Sequence, residues 1–145
     1  MEGDCVFCRI VTGKLEASRV FEDDEVLAFM DHQPVRPGQT LVIPKNHIDH
    51  FSNLPIDLAT KVFQRAHRIS SIMREKLHPQ RVGLVVHGYG VPHAHMILVP
   101  QEDRNDITSA RIAKVENGKV AFSRKDIPVA SREELDRMAN ILRDP

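Results

Sequence analysis

Residues 93–100 of this chain read HAHMILVP. Along an extended strand side chains alternate between faces. Val91, His93, His95, Ile97 and Val99 therefore share one face, and Ala94, Met96 and Leu98 the other. Both faces are largely apolar, so the segment is expected to be a central strand covered on both sides. Two imidazoles on such a strand need partners, because an unpaired buried polar group costs about 1–3 kcal/mol. Two readings follow: a pair of satisfied core histidines, or one arm of a working site.

The rest of the chain supplies neighbours for that strand. "SRVFEDDEVLAFMD" predicts short strands over Arg19–Glu22 and Val26–Asp31, joined by a turn at the two aspartates. "HQPVRPGQ" holds two prolines, which lack the donor a ladder needs, and reads as a loop before the strand "TLVIP". From Pro55, the residues Leu58, Val62, Ala66, Ile69, Ile72, Met73 and Leu77 recur at three- and four-residue steps, which predicts one amphipathic helix ending before Pro79. "RVGLVVHG" is the next strand. Beyond Pro100, "KVENGKVAF" predicts a hairpin on Asn117-Gly118. "SREELDRMANIL" predicts a helix opened by a Ser131 and Glu134 capping box.

Length and charge narrow the function classes. A chain of 145 residues suits one domain spanning 1–145, and 41% hydrophobic residues can build its core without disulfides. Twenty basic residues balance twenty acidic ones, so no basic footprint favours nucleic acid, and a small ligand is the more natural partner. No apolar run reaches the roughly 18 residues of a membrane helix. "MEGDCVFCRI" lacks the basic lead and apolar core of a signal peptide. A cytoplasmic protein without membrane or nucleic-acid partners is expected.

Cys5 and Cys8 are the only cysteines and form a C-x-x-C, which in a reducing compartment suits a metal or redox pair. With a histidine of the pair His93 and His95, and with His47 on the loop after "TLVIP", they complete a four-ligand set of the kind zinc takes. His50, three residues on, is an alternative ligand. Two small buried hydrophobes are the other reading of the thiols.

The ordered series "CVFCRIVTGKLEASRVFEDDEVLAFMD", "PVRPGQTLVIPKNH" and "GVPHAHMILVP" resembles the histidine triad nucleotide hydrolases and transferases over about Cys5 to Pro100. The resemblance makes residues 5–100 the core and 101–145 a C-terminal extension. It implies an α+β fold, an antiparallel sheet with a long helix packed on it, and a two-fold homodimer. It also implies cleavage of nucleoside phosphoramidates or dinucleoside polyphosphates at the α-phosphorus through a nucleotidyl-histidine. His95 matches the nucleophile. Cys5, Cys8, His47 and His93 match the ligands of a structural zinc. Phe7, Ile10, Phe29, Asp31 and His32 fall where the family lines its nucleoside cleft, with Asp31 at the ribose hydroxyls and a purine nucleotide as ligand. His87, Gly90 and Val91, with His95, fall along the phosphates.

The departures from the family pattern are specific. Ile97 stands in place of the third histidine, and Tyr89 and Gly90 replace a glutamine and a small hydroxyl residue. Gln39 replaces another frequent histidine, and His87 lies near an expected asparagine. Losing a donor at a developing charge costs about 10²–10³ in rate. His87 on the neighbouring strand is a candidate substitute donor. The resemblance thus leaves two functions: an enzyme working through His95, or a zinc-stabilised nucleotide-binding protein with weakened or lost catalysis.

Overall fold

The computed structural model describes residues 2–107 and 111–144. Strands β1 (Arg19–Glu22), β2 (Val26–Met30), β3 (Thr40–Pro44), β4 (Arg81–Val85) and β5 (Met96–Gln101) form one antiparallel sheet in the order β1-β2-β3-β5-β4. Helix α1 (Val6–Val11) covers one face; α2 (Ile56–Leu77) and α3 (Arg132–Leu142) cover the other. β6 (Ala113–Glu116) and β7 (Lys119–Phe122) make a separate two-stranded ribbon. The expected α+β arrangement, a long helix on an antiparallel sheet, is what the chain adopts.

Side-chain alternation explains the two cores. On β2, Val26, Ala28 and Met30 pack beneath α2 and α3 together with Val42 and Leu98, while Leu27 and Phe29 pack with Leu41, Ile43, Phe7 and Ile10 beneath α1. Every residue of β2 and β3 is consequently buried. The helix stripe read from the sequence is the buried stripe of α2: Leu58, Val62, Ala66, Ile69, Ile72 and Met73. The helix stops at His78, whose left-handed φ of 52° precedes Pro79. Among the described residues no helix is long and apolar enough to cross a membrane.

Local chemistry in the extension behaves as its residues dictate. Asn117 and Gly118 adopt φ of 52° and 73° at the ribbon's turn, the positive values a two-residue hairpin requires. Ser131 caps α3 by accepting from the Glu134 N–H while the Glu134 carboxylate accepts from the Ser131 N–H. The predicted strand from His93 needs correction, because β5 begins only at Met96. Pro92 has no N–H to give a ladder, the His93 N–H bonds back to the Val91 carbonyl at 2.8 Å, and the Ala94 N–H goes to Ile48 at 2.7 Å. The histidines therefore stand on a bent lead-in to β5. The strand is central, between β3 and β4, as expected.

Asp106 locks the start of the extension to the core. Its carboxylate, in a residue only 1% exposed, accepts from Arg36 Nε, Arg111 Nε and the N–H groups of Glu102 and Asp103, each at 2.9 Å. Burial alone would raise its pKa; the two guanidinium groups and two N–H donors outweigh it and hold the carboxyl well below the usual carboxylate range. A depressed folded pKa stabilises above the unfolded value of about 3.9 and is lost as pH falls below it. Asp106→Asn is expected to cost about 1.5–3 kcal/mol at pH 7, or roughly 4–10 °C in Tm. Denaturation at pH 7 and at pH 3 checks this: the gap between variant and parent should narrow at the lower pH.

Candidate functional site

The four expected metal ligands converge although they come from three separate places in the fold. Cys5 is the N-cap residue of α1 and Cys8 lies in its first turn; His47 follows β3, and His93 leads into β5. Cys8 Sγ is 3.2 Å from His47 Nδ1 and 3.6 Å from His93 Nδ1, and Cys5 Sγ is 3.5 Å from His93 Nδ1. One ligand atom from each of the four lies within 4.8 Å of all the others. Such a cluster can hold a metal ion.

The donor atoms are oriented for that role. His93 is 0% exposed, and its Nε2 donates to the Pro44 carbonyl at 2.8 Å. Because a carbonyl only accepts, the proton sits on Nε2 and the Nδ1 lone pair faces the sulfurs. Burial lowers the pKa of His93 and favours the neutral ring that metal binding needs. His50, the alternative ligand, is engaged elsewhere: its Nδ1 lies 2.7 Å from the Ser52 hydroxyl and accepts from the Ser52 N–H at 3.3 Å.

His95 stands next to this cluster with its ring prepared differently. Its Nδ1 donates to the His93 carbonyl at 2.6 Å, so Nδ1 carries the proton and Nε2 keeps a free lone pair. Its ring meets the edge of Phe7 at 5.3 Å; Phe7 in turn packs against Phe29 at 5.5 Å and His93 at 5.8 Å. His95, Asp49, Phe51, Gly88 and Val91 line a shallow cleft.

The remaining candidates divide between the cleft and its surroundings. Phe7, Ile10 and Phe29 are buried together, with Val91 and Ile97 packed against them. Ile97 is registered opposite Leu41, itself opposite Phe29, so its side chain belongs to an apolar row. Asp31 accepts from the Gln33 N–H at 2.9 Å and from Gln39 Nε2 at 2.8 Å. Gln39 therefore serves as a carboxylate partner. His32 extends outward, with its side chain 74% exposed. His87 is exposed, and its ring contact is with Tyr89, 5.7 Å between centroids. Gly90 turns the loop at φ 91°. Sequence reading did not anticipate Gln33 and Arg124, which border Asp31; their link spans 91 residues and leaves no local signal.

A model of the HIT domain matches residues 12–104, more than half the chain. The chain belongs to the HIT family. It is similar to Protein hit of Bacillus subtilis, 33% identical over 108 residues that cover 71% of this chain and 74% of that protein. It is also similar to the adenosine 5′-monophosphoramidase HNT1 of Candida albicans, 27% identical over 109 residues, 68% of this chain and 71% of that one. Among solved structures, a zinc-bound histidine triad family protein from Mycobacterium smegmatis superposes with a TM-score of 0.72 at 26% identity, over 99% of this chain and 93% of that one. The C-x-x-C lies outside the matched HIT segment, so the metal cluster joins residues before that segment to His47 and His93 within it.

Proposed function

We propose that this HIT protein is a nucleotide hydrolase or transferase that cleaves nucleoside phosphoramidates or dinucleoside polyphosphates at the α-phosphate through a nucleotidyl intermediate on His95. The observation that carries the reading is the 2.6 Å bond from His95 Nδ1 to the His93 carbonyl, which presents Nε2 as the nucleophile. In the first step Nε2 bonds to the α-phosphorus as the bond to the leaving group breaks, and the leaving group takes up a proton from solvent. The ring is then an imidazolium, and its Nδ1–H points at a carbonyl that stabilises the charge. Water next attacks phosphorus and gives up a proton to solvent, the P–N bond breaks, the nucleoside monophosphate leaves, and neutral His95 returns with its Nδ1 proton still in place. Phe7, Ile10, Phe29, Asp31 and His32 hold the nucleoside, a purine by resemblance; His87, Gly90 and Val91 border the phosphates.

Zinc is the metal that fits Cys5, Cys8, His47 and His93. Tetrahedral zinc with two sulfur and two nitrogen ligands needs sulfur-to-nitrogen edges of about 3.6 Å; three of the four such edges run from 3.2 to 3.6 Å, and all four ligand atoms lie within 4.8 Å of one another. Its role is structural: it ties α1 to the loop holding His47 and to the lead-in of β5. Cysteines that are not joined in a disulfide suit a cytoplasmic location. The edge position of β4 supports a homodimer in which the sheets of two copies join.

Ile97 favours a second reading. An isoleucine at that register cannot donate to a phosphate oxygen or a leaving group, which suits a zinc-stabilised nucleotide-binding protein of weak or lost activity. Incubation with adenosine 5′-phosphoramidate and, in parallel, with a diadenosine polyphosphate separates the two. AMP release is expected, faster from the phosphoramidate, because Asp49 on the cleft wall repels a polyphosphate leaving group. No release from either substrate, with adenosine nucleotides still binding, would overturn the enzyme reading.

A further inference from the structure

Residues 123–130 of the extension cross the loop that follows β2 and are laced to it by hydrogen bonds. Gln33 Nε2 donates to the carbonyls of Arg124 at 2.9 Å and Ile127 at 2.7 Å. Arg124 Nη2 donates to the Gln33 carbonyl at 2.6 Å, and the Ala130 N–H donates to the His32 carbonyl at 2.9 Å. This clasp sets the Arg124 guanidinium 3.9 Å from Asp31 Oδ2, with its side chain 45% exposed and that of Asp31 10% exposed.

A separation of 3.9 Å is too long for a hydrogen bond. The two charges attract each other without saturating each other. An ionised carboxylate offers about four acceptor positions, and Asp31 has given one to the Gln33 N–H and one to Gln39. The guanidinium has about five N–H donors, and Gln33 takes one. A hydroxyl fills such a gap, since it donates to a carboxylate and accepts from a guanidinium at once; a vicinal diol offers two. Asp31 also lies on the correct side of the sheet. Its N–H continues the β2–β3 ladder to the Gln39 carbonyl, which carries the alternation from Leu27 and Phe29, beneath α1, on to Asp31.

We infer that Arg124 is a ribose-binding residue contributed by the C-terminal extension, and that Arg124 and Asp31 together make the site select a ribonucleotide over its 2′-deoxy counterpart. The inference rests on the proposed reading of Asp31 as the ribose end of the nucleotide site. It assigns the extension a part in specificity.

Calorimetric titration of the full chain with AMP and with 2′-deoxy-AMP tests it. The parent should prefer AMP by about ten-fold, the scale of one hydrogen bond to a charged partner. Arg124→Ala should weaken AMP by about ten-fold and 2′-deoxy-AMP by less than about two-fold, so that discrimination collapses; Arg124→Lys should keep part of it. Should the alanine variant lose its fold in a thermal melt, Arg124→Met keeps the aliphatic stem, removes the donors and carries the same expectation. Equal weakening of both nucleotides, or a parent that binds them equally, would overturn the inference alone. A parent that binds neither would contradict the nucleotide-site reading and the inference with it.

Discussion

Replacing His95 with asparagine is expected to lower AMP release from adenosine 5′-phosphoramidate by roughly 10³-fold or more, the scale of losing a nucleophile with no substitute in reach. Asparagine keeps a polar side chain of similar reach but has no lone pair able to form the phosphorus–nitrogen bond. Nucleotide affinity should change little, because the proposed nucleoside contacts are Phe7, Phe29 and Asp31 rather than the ring nitrogen. Stability should also change little: His95 gives up one bond to a neighbouring carbonyl and an edge contact with Phe7. His93→Asn two residues away should do the opposite, because His93 is fully buried between the sulfurs and Pro44. Steady-state rates and thermal melts of the two variants, measured side by side, separate chemistry from architecture.

The metal prediction is of comparable size and acts on folding. Protein purified without chelator should carry about one zinc per chain. At a free zinc concentration 1,000 times its Kd, the bound ion contributes about 4 kcal/mol, so Cys8→Ser or removal of the ion should lower Tm by roughly 10 °C or more. The effect is large because Cys8 faces both His47 and His93, and its loss opens two edges of the cluster at once. His95, which is not a ligand, should keep much of its chemistry at temperatures where the variant is folded. Substoichiometric metal that is unchanged by Cys8→Ser would count against the site.

What the sequence discloses depends on whether the determining contacts are local. The α2 stripe, the Asn117-Gly118 turn and the Ser131–Glu134 box are all fixed by residues within a turn or two of one another, and each forms where its pattern indicates. The α1 helix was not legible, because "VFCRIV" is six residues without a repeating apolar period. β5 starts three residues later than the alternation predicts: alternation continues through His93 and His95, but the backbone of that stretch bonds to Val91 and Ile48. His47 could not be chosen over His50 from spacing, since only the fold shows His50 engaged with Ser52. The clasp of Gln33 on Arg124 joins positions 91 apart and becomes visible only when the extension is folded back over the loop after β2.

The same distinction governs the replaced triad position. Read along the chain, Ile97 stands where the resemblance leads one to expect a histidine; read across the sheet, it completes a row with Leu41 and Phe29 under α1. The apolar packing of that row and the absence of a donor at its end have one cause. On the proposed reading, such a site keeps its nucleophile and lacks one donor near the leaving group.

The most direct measurement is mass spectrometry of the protein quenched in acid-free conditions during turnover of adenosine 5′-phosphoramidate. The account predicts a mass increase of one adenylyl group, mapped to the peptide containing His95 and lost in His95→Asn. AMP release without any adduct on that histidine, or an adduct that persists in the variant, would contradict it.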